Sequence, residues 1–179
     1  GALERLAKDY AGYYGGVRAV MQAAENHMLD GVIGVVPELI QSIDAEHDLA
    51  IEIALGSQLQ SIVMRSAQDA KRAIQLLKTE RMGRATFLPL DIIDAREPGR
   101  EVESVLGRAG VVGLASRLVA YDRYIERAVV HLLGRTVVTD NTDVSLQLMR
   151  SGQRGRYVTL DGQLTSPGGA RVWWSMGPP

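Results

Sequence analysis

Gly31-Val32-Ile33-Gly34-Val35-Val36 decides the fold because it recurs: 79 positions later the chain reads Gly110-Val111-Val112-Gly113-Leu114-Ala115. Each copy has a glycine, two β-branched residues, a second glycine and an apolar tail, the composition of a short buried strand. The parallel continues along the chain. Leu49-Ala50-Ile51-Glu52-Ile53-Ala54-Leu55-Gly56 and residues 124–134 both read as apolar-rich helices ending at Leu-Gly. Glycine there suits a left-handed residue just past a helix C-terminus. Ile62-Val63-Met64 and Thr136-Val137-Val138 follow as β-branched runs. A further helix starts at Ser66, which with Asp69 resembles a capping box, and places Ala70, Ala73, Ile74 and Leu77 on one apolar stripe. Residues 146–150 match residues 74–78. Finally Gly83-Arg84-Ala85-Thr86-Phe87-Leu88 matches Gly155-Arg156-Tyr157-Val158-Thr159-Leu160.

Each half thus reads strand, helix, strand, helix, strand. The pattern predicts a duplicated α+β domain with two mixed sheets flanked by helices. A polar link over residues 94–100, with Pro98 and Gly99, joins the halves. Leu3-Glu4-Arg5-Leu6-Ala7-Lys8 is a polar helical stub. A second helix then carries Val17, Val20, Met21, Ala24 and Met28 on one face. The C-terminal stretch from Pro167 is glycine-rich and holds both tryptophans, Trp173 and Trp174, as a contact surface or as cover for one edge of the core.

Composition excludes several functions. With 179 residues the chain makes one domain or two small lobes, and a net charge of -1 gives no global pull toward nucleic acid or anionic membrane. There is no cysteine, which rules out disulfides and thiolate metal sites and is compatible with a reducing interior such as the cytoplasm. No apolar run approaches the ~20 residues of a membrane span, and residues 1–8 lack the regions of a secretion signal.

Catalytic motifs are missing. There is no Gly-x-Ser-x-Gly elbow and no phosphate loop, and the paired glycines lack the third member of a dinucleotide fingerprint. No catalytic residue, metal or cofactor is expected. His131 reads as a packed core residue, and Glu46-His47-Asp48 as a solvated helix start. Asp91, Asp94, Asp140 and Asp143 read as turn and cap residues. Among the basic residues, Lys8, Arg18, Lys71, Arg72 and Arg154 are the candidates for a DNA contact, which would be salt-dependent and sequence-blind.

Tyr14-Gly15-Gly16-Val17-Arg18-Ala19-Val20, the first glycine strand, residues 54–63, Gly83-Arg84-Ala85-Thr86-Phe87-Leu88-Pro89-Leu90-Asp91, residues 133–138, Val158-Thr159-Leu160-Asp161-Gly162 and Pro167-Gly168-Gly169 together resemble the hinge domain of structural maintenance of chromosomes (SMC) proteins, in bacterial style. The resemblance spans roughly residues 12–170. It implies a coiled-coil stub at 1–12, hinge lobe 1 at 13–94, a linker at 95–106, hinge lobe 2 at 107–166, and a glycine-rich segment at 167–179 returning toward the coiled coil. It implies a homodimer through two contacts, each joining the first lobe of one subunit to the second lobe of the other. Sheet edges around Thr86, Phe87 and Leu88 and around Tyr157, Val158 and Leu160 are the expected pairing surfaces, with Gly168 and Gly169 near the interface. The family commonly has a second glycine pair where this chain has Trp173 and Trp174.

The implied role is the joining of two SMC subunits in chromosome condensation and segregation, in the cytoplasm at the nucleoid, with DNA as a possible further partner. ATPase heads, and the kleisin and accessory subunits, belong elsewhere on the parent protein. The alternatives are a nucleic-acid-binding module whose pairing is incidental, and a small α/β enzyme or ligand sensor using the glycine-rich strands, which requires a deep pocket with convergent polar groups.

Overall fold

The computed structural model describes residues 13–166 and the backbone of 172–174. The strands are β1 (Val32–Val35), β2 (Gln41–Ser42), β3 (Ile62–Met64), β4 (Phe87–Pro89), β5 (Val111–Leu114), β6 (Val119–Ala120), β7 (Thr136–Thr139), β8 (Arg156–Thr159), β9 (Gln163–Thr165) and β10 (Val172–Trp174). The helices are α1 (Gly15–Glu25), α2 (Val36–Leu39), α3 (Asp48–Leu55), α4 (Ala67–Thr79), α5 (Arg100–Val105), α6 (Glu126–Leu133) and α7 (Thr142–Arg150). The chain forms two compact units. Within the described residues, one comprises 13–41, 57–94 and 121–128, and the other 42–56, 95–120, 129–166 and 172–174.

In the first unit the strand order is β1-β3-β4, with β3 antiparallel to β1 and parallel to β4. β3 is buried along its whole length, as its all-apolar sequence requires of a strand covered on both faces. Val17, Val20 and Met21 of α1 and Ala70, Ala73 and Leu77 of α4 pack with Ile62 and Met64, and half-buried Phe87 lies against this core. Each fully buried aliphatic side chain here contributes about 1.5–3 kcal/mol.

The second unit repeats the plan. β7 is antiparallel to β5 and parallel to β8, and a hairpin strand, β9, followed by β10, extends the sheet to the order β10-β9-β8-β7-β5. Leu114, Val137, Leu148 and Tyr157 form its core with Val105 of α5. The stretch expected as a linker at 95–106 therefore contains a helix that contributes a core residue. Arg156 donates 2.8 and 2.9 Å bonds to the carbonyl oxygen of Ala54 and the hydroxyl of Thr136, tying the end of α3 to the sheet, and burial lowers its pKa.

The glycine strands begin alike. Gly31 and Gly110 have φ of +76° and +83°, and the register slips between Val32 and Gly34 and again between Val111 and Gly113. The Gly31 carbonyl accepts from the Arg65 amide and the Gly110 carbonyl from the Asp140 amide, both at 2.8 Å. The two next helices carry matching caps: Ser66 Oγ accepts from the Asp69 amide, and Asn141 Oδ1 from the Val144 amide. The Ser66 hydroxyl also donates to the Asp69 carboxylate at 2.8 Å, so the expected capping box closes through the hydroxyl.

Several expectations are corrected. Met28 lies beyond α1 and is exposed, because His27 takes a left-handed φ of +59° and the Met28 amide turns back to the Ala23 carbonyl. Ile74 is 40% exposed, off the buried stripe of α4. His131 is exposed, on the solvent side of α6. Gly56 has the positive φ expected of it (+54°), but Gly134 does not. Gly134 instead allows the chain to pass against the Val130 carbonyl oxygen, where a Cβ would collide.

The match between the last strands is also displaced. Ile62 pairs with Phe87 and Val137 with Tyr157, so Phe87 is the counterpart of Tyr157, two residues from the alignment read from the sequence. A two-residue slip keeps every side chain on its face, so alternation alone does not detect it. The physical source is helix length: α4 has 13 residues and α7 has 9, one turn fewer.

A Cβ at Gly31 would sit 2.7 Å from Asp69 Cβ, and one at Gly110 would sit 2.5 Å from Val144 Cγ2. With positive φ added, Gly31→Ala and Gly110→Ala are each expected to cost about 2–4 kcal/mol in urea unfolding. Gly99→Ala, at φ −74° in open space, is expected to stay within about 0.5 kcal/mol of the parent. The Asp69 side chain is 3% exposed and takes bonds from Arg65 (3.0 and 3.2 Å) and Arg72 (3.2 Å). The bond from Arg65, then that from Ser66, holds its pKa below the usual 3.8. A lowered carboxyl pKa stabilises the fold above the unfolded value and loses that contribution as pH falls through the folded one. Unfolding midpoints are therefore expected to drop as pH falls below about 4, and Asp69→Asn to flatten that drop.

Candidate functional site

A strand at the end of a sheet leaves one row of backbone N–H and C=O groups without a strand partner. Among the described residues the two larger sheets end in four such strands, β1 and β4 in the first unit and β5 and β10 in the second, while the two-residue strands β2 and β6 form a separate ladder. β1 and β5 carry the register irregularity at their paired glycines. A bulge bends and twists an edge away from a flat partner. β1 also leads directly into α2 with Pro37 in its first turn. The regular edges are β4 and β10.

The hydrogen bonds of β4 fix which groups face outward. The Ile62 amide donates to the Thr86 carbonyl at 2.9 Å, and the Leu90 amide to the Met64 carbonyl at 2.9 Å. In a parallel ladder alternate residues bond to the same neighbour. Thr86, Leu88 and Leu90 therefore face β3, and the Phe87 N–H and carbonyl face out, while the Pro89 carbonyl accepts from the Ile92 and Ile93 amides at 3.2 and 3.1 Å in the turn after the strand. Pro89 has no amide to leave unmade, which suits an edge. Thr86 is exposed, Phe87 half-buried and Leu88 5% exposed.

The exit from β4 is held in place. Arg127 donates from Nε to the Leu90 carbonyl and from Nη2 to the Ile93 carbonyl, both at 2.8 Å. Asp91 accepts from the amide of Ala67 at 2.9 Å, the helix-cap role expected for it. At the entrance, Gly16 packs against the backbone of Arg84, where a Cβ would lie 2.6 Å from the carbonyl carbon. Beside Thr86 lies a groove of about 370 Å³ lined by Tyr14, Val17, Gln58, Arg84 and Ala85.

The second expected edge is corrected. β8 has β7 on one side and β9 on the other, Tyr157 pairing with both Val137 and Thr165. Tyr157 is 2% exposed and Val158 0%, while Leu160 is half-buried just past the strand. The Tyr157 hydroxyl donates to the Gln153 carbonyl at 2.8 Å, and burial raises its pKa. The sheet ends instead at β10, whose Val172, Trp173 and Trp174 pair with Thr165, Leu164 and Gln163. Sequence reasoning missed this strand; its signal was the run of three strand-favouring residues, Val172-Trp173-Trp174, after a glycine-rich stretch. Gly168 and Gly169 lie outside the described residues.

Of the residues expected to contact DNA, Arg18 is exposed on α1, Lys71 and Arg72 are exposed on α4, and Arg154 is exposed after α7 in the second unit. Arg72 also donates to Asp69, which compensates part of its charge. Lys8 lies outside the described residues. No helix among the described residues is long and apolar enough to cross a membrane.

The family described as "SMC proteins Flexible Hinge Domain" matches residues 29–149. The chain is 39% identical over 170 residues to the chromosome partition protein Smc of Bacillus subtilis, covering 94% of this chain and 14% of the relative. It is 37% identical over 170 residues to that of Methanocaldococcus jannaschii, covering 95% and 13%. It thus spans about one-seventh of the length of these relatives. Among solved structures, it is similar to the asymmetric dimer of the Geobacillus stearothermophilus SMC hinge domain, with a TM-score of 0.86 and 41% identity over 99% of this chain and 72% of that one. The Pyrococcus furiosus SMC hinge domain gives 0.74 and 27% over 97% and 85%.

Removing the Arg127 fork leaves two carbonyls at the end of the β4 edge without their charged donor. Arg127→Met is expected to cost about 1.5–3 kcal/mol in denaturant unfolding. Arg127→Lys is expected to recover only part, because a lysine lacks the two-pronged geometry.

Proposed function

This chain belongs to the SMC flexible hinge domain family, and we propose that it is the pairing domain through which two SMC subunits are joined in chromosome condensation and segregation. One observation carries the proposal: each of the two larger sheets has one regular strand edge, β4 in the first unit and β10 in the second. β4 of one copy pairs with β10 of another. The same contact made twice about a twofold axis closes the assembly and leaves no regular edge unpaired. Thr86, Phe87 and Leu88 form one side. The strand Val172–Trp174, with Gly168 and Gly169 just before it, forms the other. Tyr157 and Val158 of β8, with Leu160 just past it, support that second side as the strand on which β9 and β10 are built.

In this reading the two compact units are the hinge lobes expected at 13–94 and 107–166, except that residues 42–56 belong to the second and 121–128 to the first, and the remainder of the parent protein supplies ATP hydrolysis and binding of accessory subunits. Work at the nucleoid follows from the parent's role. The rival reading, a nucleic-acid-binding module, rests on Arg18, Lys71, Arg72 and Arg154, and the Asp69 contact of Arg72 weighs against it.

Light scattering behind size exclusion tests the reading over a wide concentration range. The expected result is a mass of two subunits, with the outward Phe87 amide exchanging slowly in the dimer and quickly after dilution. The Leu90 amide, bonded within the chain, is expected to stay slow in both states. Thr86→Lys, which puts a charge beside the edge, is expected to shift the equilibrium toward monomer. A monomer at every concentration removes the proposal. A salt-sensitive gel shift retained by monomeric Thr86→Lys favours the rival.

A further inference from the structure

Each compact unit is built from both halves of the sequence. The first unit takes residues 121–128 from the second half, and the second unit takes residues 42–56 from the first half. Both borrowed segments are bonded and buried where they land. In the first unit, Arg127 is the donor to the Leu90 and Ile93 carbonyls, and Ile125 and Ala128 are buried. In the second unit, α3 lies against β8 and β9, with Ala50, Ile51, Ala54 and Leu55 buried. Arg156 bonds the Ala54 carbonyl at the end of α3, and the Ile43 amide donates to the Leu118 carbonyl at 3.0 Å. A Cβ at Gly162 would lie 3.2 Å from Leu49 and 3.3 Å from Ile53, so the turn after β8 fits closely against this helix. The stretch that joins the halves has a different character. Residues 94–99 contain no helix or strand, Glu97 and Gly99 are exposed, and a Cβ at Gly99 would meet nothing within 4 Å.

We propose that the two sequence halves are an obligate pair: each completes a unit of the other, so the chain stays assembled when it is cut in the 94–99 link, and the two units fold and unfold as one. The partner that each half recognises is the other half. α3 has eight residues, too few to hold a helix in water without packing. Without the second half its buried apolar face has no sheet to cover, and the Leu90 and Ile93 carbonyls lose their charged donor. Without the first half, the face of β8 and β9 that α3 covers is open to water. Each half alone thus carries an uncovered apolar face, and joining the halves removes both. The link contributes connectivity, and the exchanged segments contribute the contacts. None of these contacts involves a second copy, so the inference does not rest on the β4–β10 pairing. Its consequence for a joining role is that the sheets of the two units stand or fall together.

A recognition sequence for a specific protease, inserted after Glu97 in the full 179-residue chain, lets the link be cut after folding; exposed loops tolerate such insertions. The cut chain is expected to run as one species on size exclusion, with the far-ultraviolet circular dichroism of the uncut chain. Its urea unfolding is expected to be a single transition. The midpoint is expected to rise with protein concentration more steeply than that of the uncut chain, because unfolding now releases two fragments in place of one. The uncut chain in the same series supplies whatever dependence the pairing of two copies causes, so failure of that pairing leaves this test intact. In the uncut chain, Arg127→Met in the first unit and Leu148→Ala in the second are each expected to shift the whole transition. Should either variant fail to fold, the cut parent chain still decides. Fragments that part under native conditions overturn the proposal. So does a cut chain whose midpoint depends on concentration no more than that of the uncut one. Variants that each move only one step of a two-step transition overturn it as well.

Discussion

The outward N–H and carbonyl of Phe87, at the start of β4, set the terms for the rest of the molecule. A three-stranded sheet has one interior strand and two edges, and each edge group that stays without a partner once water is excluded costs free energy. The first unit treats its edges differently. At β1 the slip between Val32 and Gly34 spoils the row, and α2 begins at once. At β4 the row is regular, its exit is clamped by Arg127 and its entrance is packed against Gly16. A clamped, regular edge is a preorganised one, since little further ordering is lost when a strand is added.

Much of this was legible from the glycine strands. Gly31 and Gly110 recur because two identical local problems recur: a positive φ at the strand entrance, a bulge after it, and a helix start lying where a Cβ would be. Those constraints act on single residues, so they leave single-residue signatures. The strand, helix, strand, helix, strand order was legible for the same reason. The register of the last strand was not. Phe87 and Tyr157 are equivalent in the sheet, yet the glycines at 83 and 155 invited an alignment two residues away. Alternation has period two, and the information that breaks the tie is the missing turn of α7, which no single residue encodes.

Burial was legible where the apolar face is wide and illegible where it narrows. Ala70, Ala73 and Leu77 went into the core and Ile74 did not, although all four fit a helical stripe. In α1 a left-handed His27 cut the periodicity short and left Met28 outside. Neither event has a sequence marker as strong as a glycine. The sheet edge of the second unit was misplaced for a different reason. Tyr157 and Val158 look like the counterparts of an edge strand because in the repeat they are: β8 occupies the position of β4.

What separates β8 from β4 is the addition of β9 and β10, and that addition is the consequential asymmetry of the chain. Two identical units would offer two identical edges, and each edge would pair as readily with its own kind as with the other, which permits open chains of molecules as well as closed ones. Extending one sheet by two strands makes the edges unlike. β4 is short, ends in a proline and lies beside a groove that Tyr14 and Arg84 help to line, and β10 is the strand that carries Val172, Trp173 and Trp174. Unlike edges on one chain favour pairing in which each copy gives one of each, and this is the arrangement that a twofold axis closes with two copies. The duplication supplies the two sheets; the departure from it makes their edges unlike.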